Sequence, residues 1–145
     1  MSKSRKPPNH GDKESRLRNA AERFPTASPH CILGHAPNPF LLQEHHPAGR
    51  HYSDETIYIC HNHHALVSDS AKDHPAKIPD CTNPLESIGH LLLGLGDLLD
   101  IVIEELGPHP FREFLIYLRF RLKELGLQLI VCAAKRPNED FGGES

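Results

Sequence analysis

The sequence predicts an α+β protein: a small strand, loop, strand, helix module followed by a C-terminal α-helical hairpin. Three observations carry this. The middle of the chain is dense in Pro, His, Asn and Asp and has too few apolar residues for a core of its own. Residues 84–134 instead repeat apolar side chains with helical period. Within that stretch Gly107-Pro108-His109-Pro110 forces a break, since proline cannot continue a helix.

Taken in order, residues 1–24 hold seven basic side chains (Lys3, Arg5, Lys6, Lys13, Arg16, Arg18, Arg23) against three acidic ones, with almost no apolar content before Leu17. They read as a basic, mostly disordered arm with a short helix near 14–24, either a solubilising tail or a sequence-independent grip on phosphates. Residues 25–80 hold nine of the twelve histidines. Phe40, Leu41 and Leu42 point to one short strand. Thr56, Ile57, Tyr58 and Ile59 point to a second, through β-branched and aromatic content. Pro47-Ala48-Gly49 marks a loop between them. From His61 to Ser70 no Gly or Pro intervenes, which predicts a helix ending before Pro75.

Residues 84–134 predict a two-helix amphipathic hairpin. Pro84 suits a first helical position, and Leu85, Ile88, Leu91, Leu92, Leu95, Leu98, Leu99, Val102 and Leu106 define a wide apolar face. Glu86, His90, Asp97, Asp100 and Glu104 recur opposite it as a polar stripe, on which His90 needs no special role. A second helix is expected over 111–133, and residues 135–145 read as a disordered tail. The first helix is acidic and the second basic, so charge favours an antiparallel pair. Two such helices leave apolar surface over, which predicts a homo-oligomer or a protein partner docked on the hairpin. Five acids argue against a lipid-facing role and hence against membrane insertion.

A chain of 145 residues with 16 Lys+Arg, 19 Asp+Glu and net charge −3 excludes a large multi-domain enzyme and gives no global argument for nucleic acid. No signal-peptide core is visible, and the longest apolar run is interrupted by Asp97 and Asp100. The expectation is a cytoplasmic protein. Its four cysteines, at 31, 60, 81 and 132, are too sparse for a disulfide scaffold, and metal ligation or burial is the usual use of such thiols in a reducing compartment. Cys81 and Cys132 are read as structural.

Two clusters stand about 25 residues apart, Cys31-Ile-Leu-Gly34-His35 and Cys60-His-Asn-His63-His64. Structural zinc is held by pairs of soft or borderline ligands from two turns, so Cys31, His35, Cys60 and His63 make a Cys2His2 candidate. Metal binding would supply folding free energy that so polar a segment lacks. Between the clusters lies Glu44-His45-His46-Pro-Ala-Gly49-Arg50.

This order, Cys, then His-His-x-x-Gly-Arg, then Cys-x-Asn-x-His, resembles the HNH endonuclease family, the ββα-metal nucleases, in the branch with a zinc knuckle beside the nuclease finger. The resemblance spans residues 29–75. It implies that 25–80 is a small ββα-metal finger in which His46 is the general base, and in which His45 and His64 hold a catalytic divalent ion. His61-Asn62-His63 is not the family's motif despite its letters. The chain departs from the family pattern at Gly34 and His63, where cysteines are usual, and at Glu55, where the middle Asn is usual.

The expected activity is metal-dependent hydrolysis of DNA phosphodiester bonds. An imidazole takes up a proton near neutral pH, as the base must, and Arg50 is placed to stabilise a non-bridging phosphate oxygen. Mg, Mn, Ni or Zn is the expected catalytic ion, imidazole ligands favouring the last three, with structural Zn besides and Glu44 the nearest carboxylate. DNA is the expected partner. The alternatives are a noncatalytic zinc-binding adaptor built on a degenerate finger, and a histidine-rich metal buffer.

Overall fold

The computed structural model describes residues 13–26, 29–34 and 38–138. Residues 1–12, which hold Lys3, Arg5 and Lys6 of the basic arm, lie outside it, as do His35 and residues 139–145 of the tail. The described part of the arm begins with helix α1, Lys13–Ala21. A 3-10 turn, Pro39–Leu41, leads into strand β1, Leu42–His45, which pairs antiparallel with β2, Ile57–Cys60. Helix α2, His61–Ser70, follows at once, and after a second 3-10 turn come the long helices α3, Pro84–Leu106, and α4, Arg112–Lys135. The architecture is α+β, a ββα unit ahead of a helical pair.

The first strand starts later than the apolar triplet predicts. Pro39 lacks an N–H and fixes φ, while the Asn38 side chain accepts from the Phe40 N–H at 3.1 Å, so 39–41 close into a 3-10 turn. The strand therefore covers Leu42–His45 in the register Leu42↔Cys60, Gln43↔Ile59, Glu44↔Tyr58 and His45↔Ile57. That pairing sets His45 at the strand's end and Cys60 at the entrance to α2.

Helix α3 opens on an Asn83 cap, whose side chain accepts from the Leu85 N–H at 3.0 Å, with Pro84 beside it, and it closes at Gly107, φ +59°. The far end of α4 is tied back to this start: Pro137 O accepts from the N–H groups of Thr82 and Asn83, at 2.9 and 3.1 Å. Where the two helices cross, Gly89 and Gly126 face each other. A Cβ on Gly89 would stand 2.7 Å from Gly126 O and 2.6 Å from Ile130 Cγ1. Gly94 meets the loop of the ββα unit just as closely, since a Cβ there would run into the Pro47 carbonyl.

The core belongs to both halves. Cys31, Leu42, Ile59 and Val67 from the ββα unit are buried together with Leu98 and Ile101 of α3. Three members of the polar stripe of α3 are buried as well: Glu86, His90 and Asp97 are each 3 to 4 % exposed. The stripe is polar because it faces the polar loop of the ββα unit. Tyr52 stacks on His90 with ring centroids 4.2 Å apart, and its hydroxyl donates to Glu86 Oε1 at 3.3 Å. Glu86 Oε1 also accepts from the Ile78 N–H at 2.6 Å, and His74 Nε2 lies 2.8 Å from Asp97 Oδ2. Across the helical pair Lys123 reaches Asp97 and Asp100, at 2.9 and 2.6 Å. The outer face of α4 is open, with Phe111, Phe114, Tyr117 and Phe120 all more than half exposed. Among the described residues no helix is long and apolar enough to cross a membrane.

Candidate functional site

Two groups of side chains are assembled on the ββα unit. The first is Cys31, Cys60 and His63. Cys31 sits in a tight turn closed by Gly34 N–H donating to Cys31 O at 2.9 Å; Gly34 has φ +91°, a conformation that L side chains resist. A glycine there answers the turn. Cys60 ends β2 and His63 follows in the first turn of α2, so chain direction alone puts both beside the Cys31 turn. Their ligand atoms all lie within 4.8 Å of one another and form a group that could hold a metal ion.

The donor set fits zinc. With Zn–S near 2.3 Å and Zn–N near 2.0 Å, a tetrahedral ion separates a sulfur and a nitrogen ligand by about 3.5 Å; Cys31 Sγ and His63 Nδ1 are 3.3 Å apart. The other ring nitrogen, Nε2, lies 2.7 Å from Glu105 Oε1 on the last turn of α3. Burial alone would push the His63 imidazole down, but its bonds to Cys31 and Glu105 and the Glu105 charge outweigh that and hold it above its ordinary value.

The second is the pair His45 and His64, with His46 next in the chain and Arg50 on the cleft that His64 lines. His45 at the end of β1 and His64 in α2 are brought together edge to face, with ring centroids 5.7 Å apart. Burial, followed by the nearby His64 and His46, lowers the His45 pKa to about 4. His45 is thus neutral at pH 7, as a metal-ligating imidazole must be. Ser68, one turn on in α2, hydrogen-bonds His64 Nδ1 at 3.4 Å.

His46 leads into a turn made possible by Gly49, φ +88°, whose N–H donates to His46 O at 2.9 Å. Its Nδ1 stands 3.2 Å from Ser53 O. A carbonyl only accepts, so Nδ1 carries the proton and Nε2 is the basic nitrogen. The Ser53 hydroxyl accepts from the Glu55 N–H at 3.0 Å. Ser53 therefore fastens the loop at the position where the resemblance leads one to look for Asn. Arg50 and His64 open on a cleft of about 480 Å³ shared with Glu44, Arg23 and Phe24.

Comparison with family models, with curated proteins and with solved structures finds no match in any of the three.

Of the residues singled out by sequence, the structure brings together Cys31, Cys60 and His63, and separately His45 and His64 with His46 next in the chain. His35, expected as a fourth structural ligand, lies outside the described residues. Spacing did not reveal Glu105, which lies 42 residues beyond His63 and meets it only because α3 packs on α2. Nor did it reveal the cavity of about 220 Å³ lined by His45, His46, Tyr52, His74, His90 and Asp97. His90 Nε2 is buried there with no hydrogen-bond partner among the described residues. The sole sequence signal was a histidine recurring on the helical stripe of Glu86 and Asp97.

Proposed function

We propose that this chain is a metal-dependent endonuclease of HNH type acting on DNA. The observation that carries the reading is the convergence on one ββα unit of His45 and His64, neighbours at 5.7 Å, with His46 held by Ser53 O in the tautomer a base requires. A divalent ion held by His45 and His64 would supply charge stabilisation to the scissile phosphate and the leaving oxygen. His46 Nε2 takes the proton of a water whose oxygen forms the new P–O bond, while the opposite P–O bond breaks and its oxygen is protonated from solvent. Arg50, exposed on the same cleft as His64, pairs with a non-bridging oxygen, and Arg23 lines the cleft alongside it. Among the described residues no element is placed for base-edge readout, so in this reading cleavage is nonspecific unless a partner directs it.

Supercoiled plasmid incubated with the protein and Mg, Mn, Ni or Zn tests this. Nicking is expected in at least one metal and is expected to vanish in His46→Ala with bound zinc unchanged. No nicking in any of the four sinks the proposal.

The noncatalytic adaptor is favoured by a different observation, the row of exposed aromatic side chains on α4. In the adaptor reading that face takes a protein partner, and in the nuclease reading a second copy of the chain covers it. Zinc bound in full with no nicking, and an inert His46→Ala, is the adaptor's signature.

A further inference from the structure

The Cys31, Cys60 and His63 group sits on the ββα unit, yet its one histidine is held from the other half of the protein. His63 is 3 % exposed and uses both ring nitrogens: Nδ1 faces Cys31 Sγ at 3.3 Å and Nε2 faces Glu105 Oε1 at 2.7 Å. A carboxylate can only accept at neutral pH, so Nε2 carries a proton and Nδ1 is left as the metal-facing lone pair. Glu105 sits on the last turn of α3, four residues after Ile101, which is buried in the same core as Cys31. One turn of helix thus delivers an apolar side chain to the core and a carboxylate to the imidazole.

We infer that Glu105 is the outer-shell positioning residue of a zinc centre at Cys31, Cys60 and His63, and that through it zinc loading is coupled to the docking of α3 on the ββα unit. The inference rests on the metal-centre part of the proposed function and not on catalysis. Carboxylates behind ligating imidazoles fix the ring tautomer and orientation, and their loss typically costs about 10- to 100-fold in metal affinity. The coupling follows by linkage. If α3 must be docked for Glu105 to reach His63, zinc binds the docked form more tightly and holds the end of α3 in place. The neighbouring Glu104 is exposed and serves as the control.

The experiment uses the full chain and zinc itself. Zinc affinity is measured by competition with a chromogenic chelator for wild type, Glu105→Ala, Glu105→Gln and Glu104→Ala. Cobalt-substituted samples are recorded for their visible bands, and amide exchange is followed over residues 101–106 with and without zinc. Glu105→Ala is expected to bind zinc about 10- to 100-fold more weakly, with altered cobalt bands and no zinc-dependent protection of 101–106. Glu105→Gln keeps an acceptor for Nε2–H and is expected to recover much of the affinity, and Glu104→Ala to match wild type. Should Glu105→Ala fail to fold, Glu105→Leu, of similar bulk and with no acceptor for Nε2–H, takes its place in the same measurements. Unchanged affinity and spectrum in both Glu105 variants overturns the inference while leaving the zinc centre intact. A wild type that takes up no zinc overturns the centre and the inference together, whereas the plasmid assay reads the nuclease proposal separately.

Discussion

At His46 a backbone atom selects the nitrogen that can act as base: Ser53 O accepts from Nδ1–H, so proton uptake is directed to Nε2. His45 is neutral for another reason, burial among like-charged neighbours, which lowers it to about 4. In the proposed mechanism these adjacent residues of the same type do different work, one accepting a proton and one holding a cation. Loss of a general base typically lowers a rate by about 100- to 10,000-fold, and His46→Ala is expected to fall in that range for plasmid nicking, measured beside zinc content to show the fold intact. That His45 and His64 are neighbours was legible in the sequence, because Gly49 and Cys60 are fixed reference points for the strand end and the helix start. The partners were not legible, since Ser53 O and Glu105 carry no type-specific signal.

At the level of elements, local chemistry announces helix boundaries well where capping is encoded. Asn83-Pro84 starts α3 and the glycine at 107 ends it, and α2 runs from His61 to Ser70 as its lack of Gly and Pro predicts. The first strand was displaced by a cap and a proline that an apolar triplet does not disclose. Polar periodicity identified the stripe of α3 but not what it faces, because a polar face can meet solvent or another polar surface with equal sequence cost. The helical crossing depends on glycine. In Gly89→Ala the new methyl would press on the Gly126 carbonyl and Ile130, 2.7 and 2.6 Å away. Overpacking of this kind costs about 1–3 kcal/mol, against about 1 kcal/mol returned by alanine's helix propensity. A lower urea midpoint with an unchanged slope is the expected outcome, and a midpoint equal to or above wild type refutes the close crossing.

For the whole molecule, the seam between the ββα unit and the helices is a buried polar layer, and its acid response follows from its charges. Burial pushes the His90 imidazole below its ordinary 6.5, so the fold holds it neutral while the unfolded chain protonates; stability present above 6.5 declines as pH falls below it. For Asp97, burial alone would raise the carboxyl, but His74 and Lys123 outweigh it and hold it below its ordinary 3.8, so a second loss belongs to pH below that value. Thermal midpoints are expected to fall between pH 7.5 and 5 and less steeply in His90→Phe; an equal slope in the two proteins removes His90 from the account. The exposed aromatic face of α4 speaks to assembly. Sedimentation of the intact chain at micromolar concentration is expected to give a dimer that Tyr117→Glu dissociates, and a wild-type monomer refutes it.

By itself the sequence determined the α+β class, the ββα outline, the hairpin and the two ligand clusters, because periodicity, turn residues and short ligand spacings act over one or two turns of chain. Only the tertiary structure decided that Glu105 stands behind His63, that Ser53 sets the His46 tautomer, and that Glu86, His90 and Asp97 line a seam. The Ser53 contact is made within one loop, whereas the other two depend on the distance of closest approach between α3 and the ββα unit, which is fixed by Gly94 against Pro47 and by a shared core. Packing of that kind is a property of two surfaces together, and neither surface's own residue pattern contains it.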